Sequence, residues 1–296
     1  MLRRISAAAL LAVLLSPASA FAWGFEAHKA IMRRAIDILP PELKPYFVAH
    51  REELVYRSID PDLWRTIGWE EDANHFMNFG APEFGAFPFA GMPRDYGEAL
   101  QKFGEVQLRR LGTLPWREGE MFGNLQRAFV RLGQNNGFAS VDAVIYSAAA
   151  AHYIQDATQP LHASNSYDGQ DTNQRGIHSR FETELFERFE SRLTLNPAPP
   201  KAFVSPRDYA FDALLESYQK IPILLKADKD AIGSREFYDA EYYEAFFQRA
   251  RPLLEERLSA AITATASVIV SAWEHAGRPV VKDPTRSPDR VDKVRR

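Results

Sequence analysis

His152-Tyr153-Ile154-Gln155-Asp156-Ala157-Thr158-Gln159-Pro160-Leu161-His162-Ala163-Ser164-Asn165 is the stretch on which the reading of this chain turns. His152 and Asp156 stand four apart inside an alanine-rich run, Ser147 to Ala157, that reads as a helix, so both side chains leave one face. Pro160 cannot continue that helix and turns the chain where a third donor, His162, arrives. Imidazole, carboxylate and imidazole at this spacing suit zinc. Taken alone, a His and an Asp at i, i+4 are also an ordinary helix pair. The pattern repeats, however, in His178-Ser179-Arg180-Phe181-Glu182, again with a carboxylate four residues after a histidine.

Outward from this stretch the periodicity is helical. Apolar residues recur at three and four from Gly24 to Leu39, and Pro40-Pro41 end that helix. Further helices are expected at 42–57, 96–111, 117–134, 140–158, 177–193, 207–226, 234–248 and 250–276. Gly80 to Gly97, with Pro82, Pro88, Pro93 and three phenylalanines, reads as a long surface loop whose aromatics pin it to the core or line a groove. Asn196 to Pro206 carries four prolines and resembles a linker, but the sequence after it is too helix-like and too short for an independent domain. With no convincing alternating strand and no internal repeat, the fold class is all-α, a single multi-helical domain over residues 23–278. Residues 279–296 are expected to form a disordered tail.

The N-terminus reads differently. Arg3-Arg4, the apolar run Ile5 to Leu15 and Ala20-Phe21-Ala22 have the form of a signal peptide spanning 1–22, which would make Trp23 the first residue of a secreted or periplasmic protein. The apolar run is shorter than the ~20 residues a membrane span needs. The chain has no cysteine, which excludes disulfides, thiolate ligands and thiol catalysis. Its formal net charge is -3, and loss of Arg3 and Arg4 makes it more acidic. Such a surface does not grip polyanions by charge alone; bound metal would have to hold an anionic substrate locally.

Trp23 at the cleavage site, His28, Asp60 before a turn, His75, His152-x3-Asp156-x5-His162 and His178-x3-Glu182 together resemble the zinc-dependent phospholipase C and single-strand-specific zinc nuclease superfamily. The resemblance covers positions 23 to 182 in order. It implies a helical fold holding three zinc ions: one on Asp60, His75, His152 and Asp156, a second on His162, His178 and Glu182, and a third on the terminal amine and carbonyl of Trp23 with His28 and Asp156. It also implies hydrolysis of a phosphodiester by metal-activated hydroxide, with Asp60 as the catalytic carboxylate that orients the attacking group or accepts its proton. Asp62 competes with Asp60 for that place on spacing alone.

Two branches share such a site. Glu182 as the last ligand, His162-Ala163-Ser164-Asn165, and Glu26 three residues after Trp23, where phospholipases place a carboxylate near choline, are similar to the phospholipase C branch. Pro61, Asp72, Gln155 and Thr158 depart from its pattern, and Phe76 beside His75 offers the ring that stacks a base in the nucleases. The expected partner is therefore a phospholipid, met at a membrane surface only transiently, or a single-stranded nucleic acid, with no protein partner. A third reading is a zinc-binding protein without catalysis, although open coordination positions favour catalysis.

Overall fold

From Trp23 onward the chain is a succession of helices, and no strand occurs among the residues that the computed structural model describes, 23–68 and 70–285. The segment expected as a signal peptide, Trp69 and the end of the expected tail from 286 lie outside them. The order is α1 (Phe25–Asp37), α2 (Lys44–Ala49), α3 (Arg51–Arg57), α4 (Asp60–Thr66), α5 (Tyr96–Phe103), α6 (Glu105–Leu111), α7 (Leu114–Gly133) and α8 (Ala139–Ala157). There follow α9 (Ile177–Ser179), continued through a π-helical turn (Arg180–Glu184) into α10 (Leu185–Phe189), then α11 (Pro206–Tyr218), α12 (Ile221–Ile232) and α13 (Ala240–His275). None of the described helices is long and apolar enough to cross a membrane.

The centre of the molecule is α8. From Ser147 to Ala157 every one of its residues is buried, because its alanines let neighbouring helices approach on all sides. A helix that is apolar all round belongs inside a core, and α7, α13, α3, α11, α1 and α4 all pack against this one. Its two metal-type side chains, His152 and Asp156, are therefore carried into the interior together with it.

Several boundaries differ from the sequence expectation. The expected helix 42–57 breaks at His50, and 96–111 breaks at Gly104, whose φ of +73° ends α5. The expected pair 234–248 and 250–276 is one helix, α13, with Pro252 inside it. An interior proline costs about 3 kcal/mol. Here Phe246, Phe247, Leu253 and Leu254, all buried on either side of it, hold the helix continuous.

The proline-rich segment that resembled a linker is bound along α13. Its main-chain N–H groups donate to side chains spaced four apart on that helix: Thr194 to Glu255 Oε1 (2.7 Å), Asn196 to Ser259 Oγ (3.0 Å), Ala198 to Thr263 Oγ1 (2.9 Å), Lys201 to Ser267 Oγ (3.1 Å) and Phe203 to Ser271 Oγ (3.0 Å). The spacing explains the fit. Four helical residues rise about 6 Å, and two residues of an extended proline-rich chain advance about the same, with one three-residue step from Ala198 to Lys201. Pro197, Pro199 and Pro200 fall between the bonded positions, where no donor is needed.

In the loop 80–97, Phe84 and Phe89 are buried, and Phe89 stacks on Phe79 with centroids 4.8 Å apart. These two rings pin the loop to the core, while Phe87 stays half exposed. The first residues of the expected tail are also held: Trp273 Nε1 donates to Pro279 O (2.8 Å), Val281 is buried, and Asp283 meets His50 (2.9 Å) and Ser140 (2.6 Å). The tail expectation is thus corrected for residues 279–285, which Val281 and these polar contacts tie to the body.

One buried group sits in no site. Both carboxylate oxygens of Glu118, on α7, are enclosed without a hydrogen-bond partner, and burial pushes its pKa well above the usual 4.5. An acid with a raised folded-state pKa favours the folded state fully below its unfolded value, and that contribution is lost as pH rises through the folded value. Glu118→Gln is therefore expected to stabilise the protein more at pH 8 than at pH 5, by about 1.4 kcal/mol for each unit by which the pKa is raised below the test pH. Chemical denaturation at the two pH values measures the difference.

Candidate metal centre

Five segments converge on one end of α8. Helix α8 supplies His152 and Asp156, α1 supplies His28, and α4 supplies Asp62. The short turn Asp72–His75 supplies His75, and the turn Pro160–Ala163 that follows α8 supplies His162. His178 and Glu182 come from α9 and the π-helical turn, a type of helix irregularity frequent at functional sites. All eight side chains are buried.

Close backbone approaches hold these segments in place. Met77 N donates to His162 O (2.9 Å), Thr113 N to Ala73 O (2.7 Å) and Asn78 N to Leu111 O (2.7 Å), so the stretch bearing His75 is tied on both sides. Gly112, at φ +100°, has no room for a side chain, since a Cβ there would lie 2.2 Å from Phe76 O. Gly24 is pressed against the π-helical turn in the same way, where a Cβ would lie 2.5 Å from Thr183 Oγ1. Beside it Trp23 is fully buried, with its ring 5.9 Å from Phe181 and its indole N–H donating to Gln155 O at 3.0 Å.

The ligand-type atoms form three groups, each within 4.8 Å: His28, His152 and Asp156; Asp62, His75 and His152; His162, His178 and Glu182. Asp156 joins the first two. Its Oδ1 is 3.4 Å from His28 Nε2, while its Oδ2 is 3.0 Å from His75 Nδ1 and 3.4 Å from His152 Nε2. In the third group His178 Nε2 and His162 Nε2 lie 2.8 and 3.8 Å from Glu182 Oε2.

Asp60 is not part of this assembly. Its carboxylate pairs with Arg57 at 3.1 Å, and Asp62 occupies the place expected for it, 3.7 Å from His75 Nδ1 and 3.9 Å from His152 Nε2. The reason lies in the start of α4. Pro61 sits in the first turn, where its missing N–H is no loss, so both acids are helical. Two residues span about 200° of helix, and when Asp62 faces α8, Asp60 faces away.

Glu26 is likewise elsewhere: it is exposed, pairs with Lys29 at 2.8 Å, and does not line the cleft. Phe76 does line the cleft, half-buried in its wall next to His75.

The cleft beside the cluster measures about 590 Å³ and includes Arg65, His75, Phe76, His162, Arg175 and His178 in its lining. A family model for zinc-dependent phospholipase C matches residues 27–261. The chain belongs to the zinc-dependent phospholipase C family. No curated protein matches it. Membership supports a phosphodiesterase-type hydrolase that uses zinc.

The side chains of this phospholipase C family member fit that metal. His28 Nε2, both oxygens of Asp62, His75 Nε2, Asp156 Oδ1, His162 Nε2 and His178 Nε2 are buried with no hydrogen bond to satisfy them. Buried polar atoms rarely stay so, and here they cluster where nitrogen and oxygen donors of the zinc type meet.

Four rings are aimed from behind. The Nδ1–H of His152 donates to Ser58 O (2.8 Å), that of His162 to His75 O (2.5 Å), that of His178 to Tyr167 O (2.9 Å) and that of His28 to Gln155 Oε1 (2.5 Å). Each bond sets the tautomer and leaves the Nε2 lone pair facing the cluster. Glu182 is oriented by Gln159 Nε2 at 2.7 Å. Behind His75, the Tyr153 hydroxyl donates to Glu71, and Arg117 Nε donates to that hydroxyl at 3.1 Å.

Charge in the cluster is uneven. Burial works against protonation of His152, yet Asp156 and Asp62 outweigh it and lift its pKa to about 9. Burial dominates at His75 and lowers its pKa. Asp156 is held well below the usual carboxylate range because the His152 and His162 rings overcome its burial. Arg65, which the sequence reading passed over, lines the cleft 3.5 Å from Asp62 and 2.6 Å from Asp72. Its spacing from Asp62, one helical turn on, was the available signal.

The exchange of Asp60 for Asp62 is directly testable. Asp62→Asn is expected to weaken zinc binding by at least the 10–100-fold (~) typical of losing a group that only supports a ligand, whereas Asp60→Asn leaves zinc content unchanged. Metal analysis after dialysis against a graded chelator distinguishes the two.

Proposed function

We propose that this chain is a secreted or periplasmic zinc phosphodiesterase of phospholipase C type, acting on phospholipid. The observation that carries the reading is the set of unsatisfied buried donors around Asp156, opening on a cleft of about 590 Å³. Three zinc ions are assigned: one to Asp62, His75, His152 and Asp156, one to His162, His178 and Glu182, and one to His28 and Asp156 with the amine and carbonyl of Trp23. The last assignment requires cleavage before Trp23, because only a chain cut there offers that amine. A free α-amine, with pKa near ~8, needs little help to lose its proton.

When bound, zinc supplies a water acidic enough to attack phosphorus near neutral pH and neutralises charge on the phosphoryl oxygens. The protein's own groups do the rest. Arg65, held between Asp62 and Asp72, presents a fixed cation to the phosphoryl group. Asp62, whose oxygens carry no hydrogen bond, orients the attacking water and accepts its proton. Phe76 and Leu161 give the cleft an apolar wall that limits water around the reacting phosphate.

A nuclease of the same superfamily is the second reading, favoured by Phe76, whose ring in the cleft wall offers a face for a base. Long-chain phosphatidylcholine, other phospholipids, single-stranded DNA and RNA, each assayed with and without chelator, separate the two. Release of diacylglycerol that stops on chelation and returns with zinc is the expected result. Cleavage of nucleic acid with lipid untouched would select the nuclease, and no turnover at all would leave a zinc-binding protein without catalysis.

A second outcome concerns the amino terminus. Protein that retains residues ahead of Trp23 is expected to carry one zinc fewer than correctly cut protein and to lose most of its activity. Metal-to-protein ratios of the two forms, each verified by mass, check this.

A further inference from the structure

Gln155 lies between His152 and Asp156 on α8, fully buried, and belongs to no ligand set described above. It is also one of the positions at which the central run departs from the phospholipase pattern. Its side chain has two engagements. The Oε1 accepts from His28 Nδ1 at 2.5 Å, and the Nε2 donates to Thr265 Oγ1 of α13 at 3.2 Å. The amide sits with its Nε2 toward Thr265 and its Oε1 toward His28. With Nε2 given to Thr265, only Oε1 remains for His28, so the His28 proton is drawn to Nδ1 and the lone pair of Nε2 is left facing Asp156 Oδ1 at 3.4 Å. The other three rings aimed from behind use main-chain carbonyls for this task; His28 alone among these four depends on a side chain.

We propose that Gln155, itself fixed by Thr265, is a positioning residue that selects the ligating tautomer of His28 and thereby sets the affinity of the metal position shared by His28 and Asp156. The inference rests on the three-zinc reading given above. It concerns one of the three positions, so it predicts a selective loss. The groups around Asp62, His75 and His152, and around His162, His178 and Glu182, have no side-chain hydrogen bond to Gln155.

The test is zinc binding, followed by calorimetric titration and by metal analysis on protein that begins at Trp23, with hydrolysis as a separate readout. Gln155→Met keeps the length of the side chain and removes its acceptor; two zincs are expected to bind as in the wild type, and the third about 10–100-fold more weakly. Thr265→Val, which frees the amide without touching His28, shifts the same position in the same direction by a smaller factor. Gln155→Glu restores an acceptor to His28 and recovers the third zinc relative to the Met variant, which a packing role would not produce. Equal weakening of all three zincs in the Met variant, or unchanged third-zinc affinity in both it and the Val variant, overturns the inference alone. If Gln155→Met does not fold, an unchanged third zinc in Thr265→Val is sufficient to overturn it. Wild-type protein that takes up no zinc overturns the three-zinc reading and this inference together.

Discussion

The arrangement depends on Asp156, a buried carboxylate surrounded by imidazole nitrogens that cannot all hold a proton. His28, His75 and His152 each bring a ring nitrogen to within 3.4 Å of one of its oxygens. Burying a charge is tolerable only when it is paired, and a single carboxylate facing several lone pairs is paired by a cation or by a shared proton. The raised pKa of His152 and the lowered pKa of Asp156 describe the protonic solution. Metal binding replaces that proton, which couples zinc uptake to proton release.

What keeps the cluster from relaxing is the shell behind it. Four of the five rings donate from Nδ1 to a fixed acceptor, and those acceptors belong to segments tied by main-chain bonds or by a helix packed elsewhere in the core. The π-helical turn at Arg180–Glu184 is secured in a similar manner. Arg180, its buried first residue, donates to Asp228 (2.9 Å) on α12 and to two main-chain carbonyls of the loop before His178. The long helix α13 contributes at a distance: Thr265 reaches Gln155, while other hydroxyls spaced along the helix bind the proline-rich segment. Two faces of α13 thus have separate tasks.

The site residues differ in how readable they were. His152, Asp156, His162, His178 and Glu182 sit on short-range spacings that helix geometry converts directly into a shared face, and the structure brings all five together. His28 and His75 were named through the resemblance, and they arrive by tertiary packing. The Asp60 and Asp62 choice could not be made from spacing, because it turns on whether Pro61 ends a helix or begins one. Gln159 and Arg65 were passed over, and Gln155 was read only as a departure from the phospholipase pattern, for a related reason: an amide or a guanidinium is usually a solvated side chain, and only burial against a specific partner gives it a role.

The sequence by itself determined the helical class, the alanine-rich helix and the metal character of its end, since these follow from periodicity and side-chain chemistry within a few residues. Tertiary structure alone decided that Asp62 rather than Asp60 faces the cluster, that Glu26 is remote from it, that Pro252 stays within one helix and that a proline-rich stretch is bound rather than free. Those outcomes turn on which face of one element meets another far along the chain, and on packing strong enough to override a local preference.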